Sequence, residues 1–134
     1  MLKNEKCLLV IDDDEDLCQI IKGKFELLGY KVLTAPEGAE GLRKTEEGKP
    51  DCVVLDIIIP EGEDGLTYLR KLRSYRHKDP QEQARIRETP VIVLTGAGKT
   101  KQLAFEFEGI SGFLEKPFDL VSLQGKIERV LKIR

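Results

Sequence analysis

CVVLDIII, residues 52–59, decides the fold. The run is short enough to be a single strand, and it is apolar at every position but Asp56, with no alternation between two faces. A strand of that kind is buried on both sides, which is the habit of parallel sheets covered by helices. Four more short apolar runs accompany it, at Cys7 to Ile11, Tyr30 to Ala35, Val91 to Leu94 and Gly112 to Leu114.

Working outward, the segments between these runs carry a helical period. Leu17, Ile20, Ile21, Phe25 and Leu28 recur at three- and four-residue steps, as do Leu66, Leu69 and Leu72, and then Leu120, Leu123, Ile127 and Val130. Weaker helical patterns cover Pro36 to Glu47 and Thr100 to Phe107. Gly29 stands where a left-handed cap would end the first helix, and Asp119 where an N-cap would start the last. Strands alternating with helices predict a doubly wound α/β domain, a five-stranded parallel sheet with helices on both faces.

The least core-like stretch is SYRHKDPQEQARIRE, Ser74 to Glu88, which reads as a polar surface excursion. Within it Asp79, Pro80 and Glu82 occupy the N-cap, N1 and N3 positions of a capping-box-like start, predicting a short helix from Pro80 to Arg87. His77, the single histidine, falls in this excursion and is expected to be solvated.

A chain of 134 residues has the size of one domain, residues 1–134, able to bury a core without metal or disulfide staples. Charged residues make up 34% of it, yet they leave a net charge of only −2, and the lysines and arginines look dispersed. A strong uniform field for nucleic acid or a membrane is therefore not expected. Cys7, Cys18 and Cys52 form an odd set without metal-ligand spacing and read as reduced core thiols. With no secretory leader pattern and no apolar run of membrane-spanning length, the expectation is a cytoplasmic protein.

Ligands of open α/β sheets bind beyond the carboxyl ends of the strands, so the polar residues there are the informative ones. Asp12, Asp13 and Asp14 follow the first run, Asp56 lies within the third, Thr95 follows the fourth, and Lys116 comes shortly after the fifth. Carboxylates gathered at one edge repel one another and must protonate or take up a cation. Oxygen ligands suit Mg²⁺, with Mn²⁺ as a substitute, and no histidine or thiolate lies nearby to suggest zinc. Lys116 and Thr95 add a point charge and a hydroxyl suited to phosphate oxygens. Asp56 is then the candidate carboxylate nucleophile that forms an acyl phosphate.

The blocks VIDDDEDL, DCVVLDIIIPEGEDGL, PVIVLTGAG and GFLEKPFD, in this order over essentially the whole chain, resemble the four signature blocks of bacterial response-regulator receiver domains, the CheY-like superfamily. The resemblance implies a flavodoxin-like fold with strand order 2-1-3-4-5 and a two-component phosphorelay function. It makes Asp56 the phosphoacceptor, Asp13 a direct metal ligand and Asp12 a ligand directly or through water, with the backbone carbonyl of Ile58 completing the protein's share of the metal shell. Lys116 pairs with the phosphoryl group, Thr95 moves toward it, Phe113 changes rotamer with it, and the Lys116–Pro117 peptide is cis.

The implied partners are a histidine kinase or histidine phosphotransfer protein, and a downstream protein target met by the fourth helix, fifth strand and fifth helix, about residues 100–134. Direct contact with nucleic acid or membrane is not implied. The chain would be a monomer or a phosphorylation-dependent dimer, either stand-alone or cut from a longer protein. It would promote its own phosphorylation and dephosphorylation without being a turnover enzyme.

Three features depart from the family pattern. The turn after Pro60, EGEDG, is one residue longer, the Ser74 to Glu88 excursion adds roughly two to three helical turns, and Ile58 and Ala97 are apolar where receivers often carry side chains that orient water. The last point predicts a long-lived phosphoryl group. A haloacid-dehalogenase-like phosphohydrolase is the rival enzyme reading; Asp12 and Asp14 suit its motif, but Asp16 stands where Thr or Val is required. A receiver-like scaffold without phosphorylation would be expected to lack one of the acidic or lysine residues, and all are present here.

Overall fold

The computed structural model describes residues 5–56, 64–95 and 109–132, without the side chains of Asp64 and Thr95. Its strands are β1 (Cys7–Ile11), β2 (Lys31–Ala35), β3 (Cys52–Asp56), β4 (Val91–Thr95) and β5 (Gly112–Glu115). The helices are α1 (Glu15–Leu27), α2 (Gly38–Gly48), α3 (Asp64–Arg73), α4 (Pro80–Arg87) and α5 (Leu120–Leu131). All four strand pairings are parallel and the order is β2-β1-β3-β4-β5, as predicted. Of the predicted run Cys52 to Ile59, residues 57–59 lie outside the described residues, as does the predicted helix Thr100 to Phe107.

Alternate residues of each strand serve opposite faces. Leu8, Val10, Cys52, Val54, Ile92 and Leu94 meet Ile21 and Phe25 of α1 and Leu123 and Ile127 of α5. Leu9, Ile11, Val53, Leu55, Val91 and Val93 meet Tyr68, Leu69 and Leu72 of α3 and Ile86 of α4, with Leu42 of α2 beside them. This two-sided burial explains why the strand sequences show no alternation. Cys7, Cys18 and Cys52 are buried free thiols.

Local signals explain the element ends. Gly29 has φ 95°; its N–H donates to Glu26 O at 3.0 Å and that of Tyr30 to Phe25 O at 2.9 Å. That bonding is a Schellman cap. The Phe25 and Tyr30 rings close it edge to face, centroids 5.4 Å apart. Tyr30, predicted as the first residue of β2, belongs instead to this cap. Asp14 and Asp119 cap α1 and α5 by accepting from Leu17 N and Ser122 N at 3.1 and 2.7 Å.

The excursion corrects the sequence reading. Its helix is α4, capped by Asp79, which accepts from Gln81 N at 2.9 Å. The reciprocal half of the capping box is missing, because Glu82 pairs with Arg85 at 3.0 Å while Asp79 N–H donates to His77 Nδ1 at 3.0 Å. Nor is the segment all surface, since Ile86 is fully buried in the core. Arginines tie it down: Arg85 donates to Thr45 O and Glu46 O in the last turn of α2, and Arg87 to Tyr75 O. Such cation-to-carbonyl bonds satisfy orphan groups at a helix C-terminus, where the dipole also favours positive charge.

Candidate functional site

The parallel order brings the carboxyl ends of β1, β3, β4 and β5 to one edge, with the loop after β1 and the end of β3 adjacent. Asp12 and Asp56 are each only 2% exposed there, while Asp13 is exposed. One carboxylate oxygen from each of Asp12, Asp13 and Asp56 lies within 4.8 Å of the others. Lys116, just past β5, donates from Nζ to Asp56 Oδ2 at 3.1 Å and faces Asp12 Oδ2 at 3.7 Å. Four of the sequence-predicted site residues therefore converge.

The three aspartates after β1 have separate jobs, a division the spacing alone left open. Asp12 Oδ1 accepts the backbone N–H of Asp14 at 2.8 Å, an Asx-type turn across two residues. Asp14 in turn spends its carboxylate on capping α1. That cap leaves Asp12 and Asp13 for the cluster. The Cys18 thiol donates to the Asp12 carbonyl oxygen at 3.5 Å, a contact with no signal in the sequence. The Asp12-x-Asp14 spacing, by contrast, could have suggested the turn.

Electrostatically the edge is short of positive charge. Burial, the largest influence, pushes the Asp12 carboxyl up to about 7; the nearby Asp56 charge adds to the rise, and the Asp14 N–H and Lys116 oppose it. Asp12 Oδ2 is buried without a hydrogen bond among the described residues, an arrangement that costs free energy unless a cation or proton satisfies it. An octahedral ion bound at about 2.1 Å sets neighbouring oxygens roughly 3 to 4.2 Å apart, which the three aspartates can supply. The donor set is all oxygen and fits Mg²⁺.

The other predicted residues lie around this core. Leu94 is the partner of Asp56 in register, so Thr95 stands one step beyond it at the sheet edge, opposite Glu115. Phe113 stands opposite Val93 and packs, half-buried, on the face shared with α3 and α4. The Lys116–Pro117 peptide is cis. Ile58 and Ala97 lie outside the described residues.

Comparisons with known proteins agree with this geometry. The family described as response regulator receiver domain matches residues 8–128. The chain is 31% identical over 129 residues to the alkaline phosphatase synthesis transcriptional regulatory protein PhoP of Bacillus subtilis, covering 95% of this chain and 49% of that protein. It is 34% identical over 128 residues to the transcriptional regulatory protein PrrA of Mycobacterium tuberculosis, covering 95% and 50%.

The chain thus spans about half the length of the curated relatives it matches. Among solved structures, the chemotaxis protein CheY4 of Vibrio cholerae superposes with a TM-score of 0.81 at 26% identity, covering 95% of this chain and 99% of that one. The signal receiver domain from Bermanella marisrubri does so with 0.81 at 27% identity, covering 96% and 99%. Matching over its sequence, its sheet order and its acidic edge, the chain belongs to the response regulator receiver domain family.

Proposed function

We propose that Asp56 is the phosphoacceptor of this receiver and takes its phosphoryl group from a phosphohistidine on a histidine kinase or histidine phosphotransfer protein. The reading rests on one observation: a buried carboxylate ends the central strand with Lys116 at 3.1 Å and two further aspartates beside it. Asp12, Asp13 and Asp56, with the Ile58 carbonyl, would hold Mg²⁺. When bound, the ion neutralises phosphoryl oxygens in an in-line transfer.

The chain's own groups do the rest. An oxygen of Asp56 bonds to phosphorus as the phosphorus–nitrogen bond of the donor breaks, and the electron pair returns to the imidazole, which takes up a proton. Lys116, already at the Asp56 carboxylate, pairs with a phosphoryl oxygen as charge arrives. Thr95 supplies a hydroxyl from the neighbouring strand end, and Phe113 follows its movement. Burial of Asp12 and Asp56 keeps bulk water from screening these charges.

A groove of about 530 Å³, lined by Leu17, Ile20, Phe118 and Leu120 together with Asp14 and Lys116, would be the resting place of the donor protein. The output surface comprises β5, α5 and the segment predicted as a helix over Thr100 to Phe107. Phosphorylation shifts an existing equilibrium there by the difference in how well each state holds the new charge. In this reading the chain promotes its own phosphorylation and hydrolysis and turns over no separate substrate. Incubation with acetyl phosphate and Mg²⁺ should add one phosphoryl mass to the wild type and none to Asp56→Asn; an unmodified wild type overturns the proposal.

A further inference from the structure

Residues 65–78, GLTYLRKLRSYRHK, contain five lysines and arginines and no acidic residue, in a chain whose net charge is −2. The cations that look dispersed along the sequence are locally concentrated here. Folding separates them by job. Arg73 turns inward, donating from Nη1 to Arg87 O and Thr89 O at 2.7 and 2.8 Å and from Nη2 to Gly109 O at 2.6 Å. With Arg85 and Arg87 also spent on carbonyls, α3, α4 and the start of β4 form a braced unit.

The remaining cations are exposed. On α3 the exposed residues Thr67, Arg70, Lys71 and Ser74 follow a helical step and share one side. Arg76 and Lys78 continue exposed into the turn before α4. Lys71, Arg76 and Lys78 make no ion pair among the described residues. The result is a basic strip on a rigid support, on the sheet face opposite α1 and α5.

We propose that this strip, the outer side of α3 and the turn into α4, docks an acidic segment of a partner protein. A lipid surface fits poorly, because the large exposed apolar side chains among the described residues, Ile20, Leu27, Leu28 and Val121, belong to α1, its C-cap and α5 on the other face. Duplex nucleic acid fits poorly too. Neutralising about three phosphates holds a duplex only weakly at physiological salt, more so for a chain of net negative charge. A short run of aspartates or glutamates matches the strip in charge and extent, and the braced support spares it the cost of ordering the surface.

The test is fluorescence anisotropy of a labelled 20-residue polyglutamate peptide at low salt, with a duplex DNA and vesicles containing anionic lipid as competing probes. The full chain should bind the peptide, and K71E/R76E/K78E should weaken it by about tenfold. K22E/K24E/K31E, equal in net charge but remote from the strip, should change it less than twofold. Melting curves of both variants, and K71Q/R76Q/K78Q as a milder change, separate lost binding from lost folding. No peptide binding, equal weakening by both reversals, or tighter binding of the duplex or vesicles through the same residues would each overturn the proposal.

Discussion

Replacing Asp12 with Asn tests the electrostatics of the acidic edge, and the sign of its effect depends on pH. The substitution keeps an oxygen for the Asp14 N–H and exchanges the buried, unbonded Oδ2 for an amide beside Asp56 and Lys116. The Asp12 carboxyl, raised by burial to about 7 from an ordinary 3.8, binds its proton more tightly in the folded chain than in the unfolded one. The stability this contributes is full below 3.8 and is lost as pH rises through about 7.

At pH 8 without metal the wild type therefore carries a buried, incompletely partnered charge that the variant lacks, worth about 2 kcal/mol. For a chain of this size that raises the melting temperature of Asp12→Asn by about 7 °C. At pH 5, where Asp12 is protonated in the folded chain and only its unfolded form has ionised, the gap between the two should be narrower than at pH 8. Saturating Mg²⁺ at pH 8 should reverse the order, since an ion at a hundred times its dissociation constant adds about 2.7 kcal/mol to the wild type alone. Thermal melts in EDTA and in Mg²⁺ at both pH values check this. A variant less stable than wild type at pH 8 in EDTA, or one that gains as much from Mg²⁺, would refute the reasoning.

Three further outcomes follow from the same structure. Ile86→Ala, at a fully buried position, should cost about 2–5 kcal/mol in urea unfolding; an unchanged midpoint would return α4 to surface padding. Lys116→Ala should slow labelling by acetyl phosphate about a hundredfold with the fold retained by circular dichroism, because the charge at 3.1 Å from Asp56 is gone. An unchanged rate would remove Lys116 from the transfer. Ile58→Asn, supplying an amide that can orient water, should speed loss of the phosphoryl group after the donor is removed, and the idea fails if that decay is unchanged or slower.

Much of the architecture was legible because its causes are local. Gly29 ends α1 by a backbone conformation that glycine readily adopts, and Asp79 and Asp119 start helices by bonding to N–H groups two and three residues away. Ile86 was not legible. One isoleucine among arginines, glutamines and glutamates has no periodic company, and its burial depends on where α3 and the sheet happen to leave room. The arginine bonds to carbonyls 12 to 40 residues away were hidden for the same reason, since a carbonyl acceptor leaves no mark on residue type.

By itself, then, the sequence determined the parallel sheet, because strands buried on both faces must be apolar throughout. It also determined the chemical type of the site, because aspartates, a lysine and a threonine at strand ends allow few other chemistries. Only the tertiary structure separated the aspartates by their placement. Asp14 is consumed by the cap of α1, while Asp12 is driven beneath the surface with one oxygen unsatisfied. It likewise turned the polar excursion into a braced helix with a core residue on one side and a basic strip beside it. Those distinctions rest on packing and on distances between remote segments, which exist only once the chain has folded.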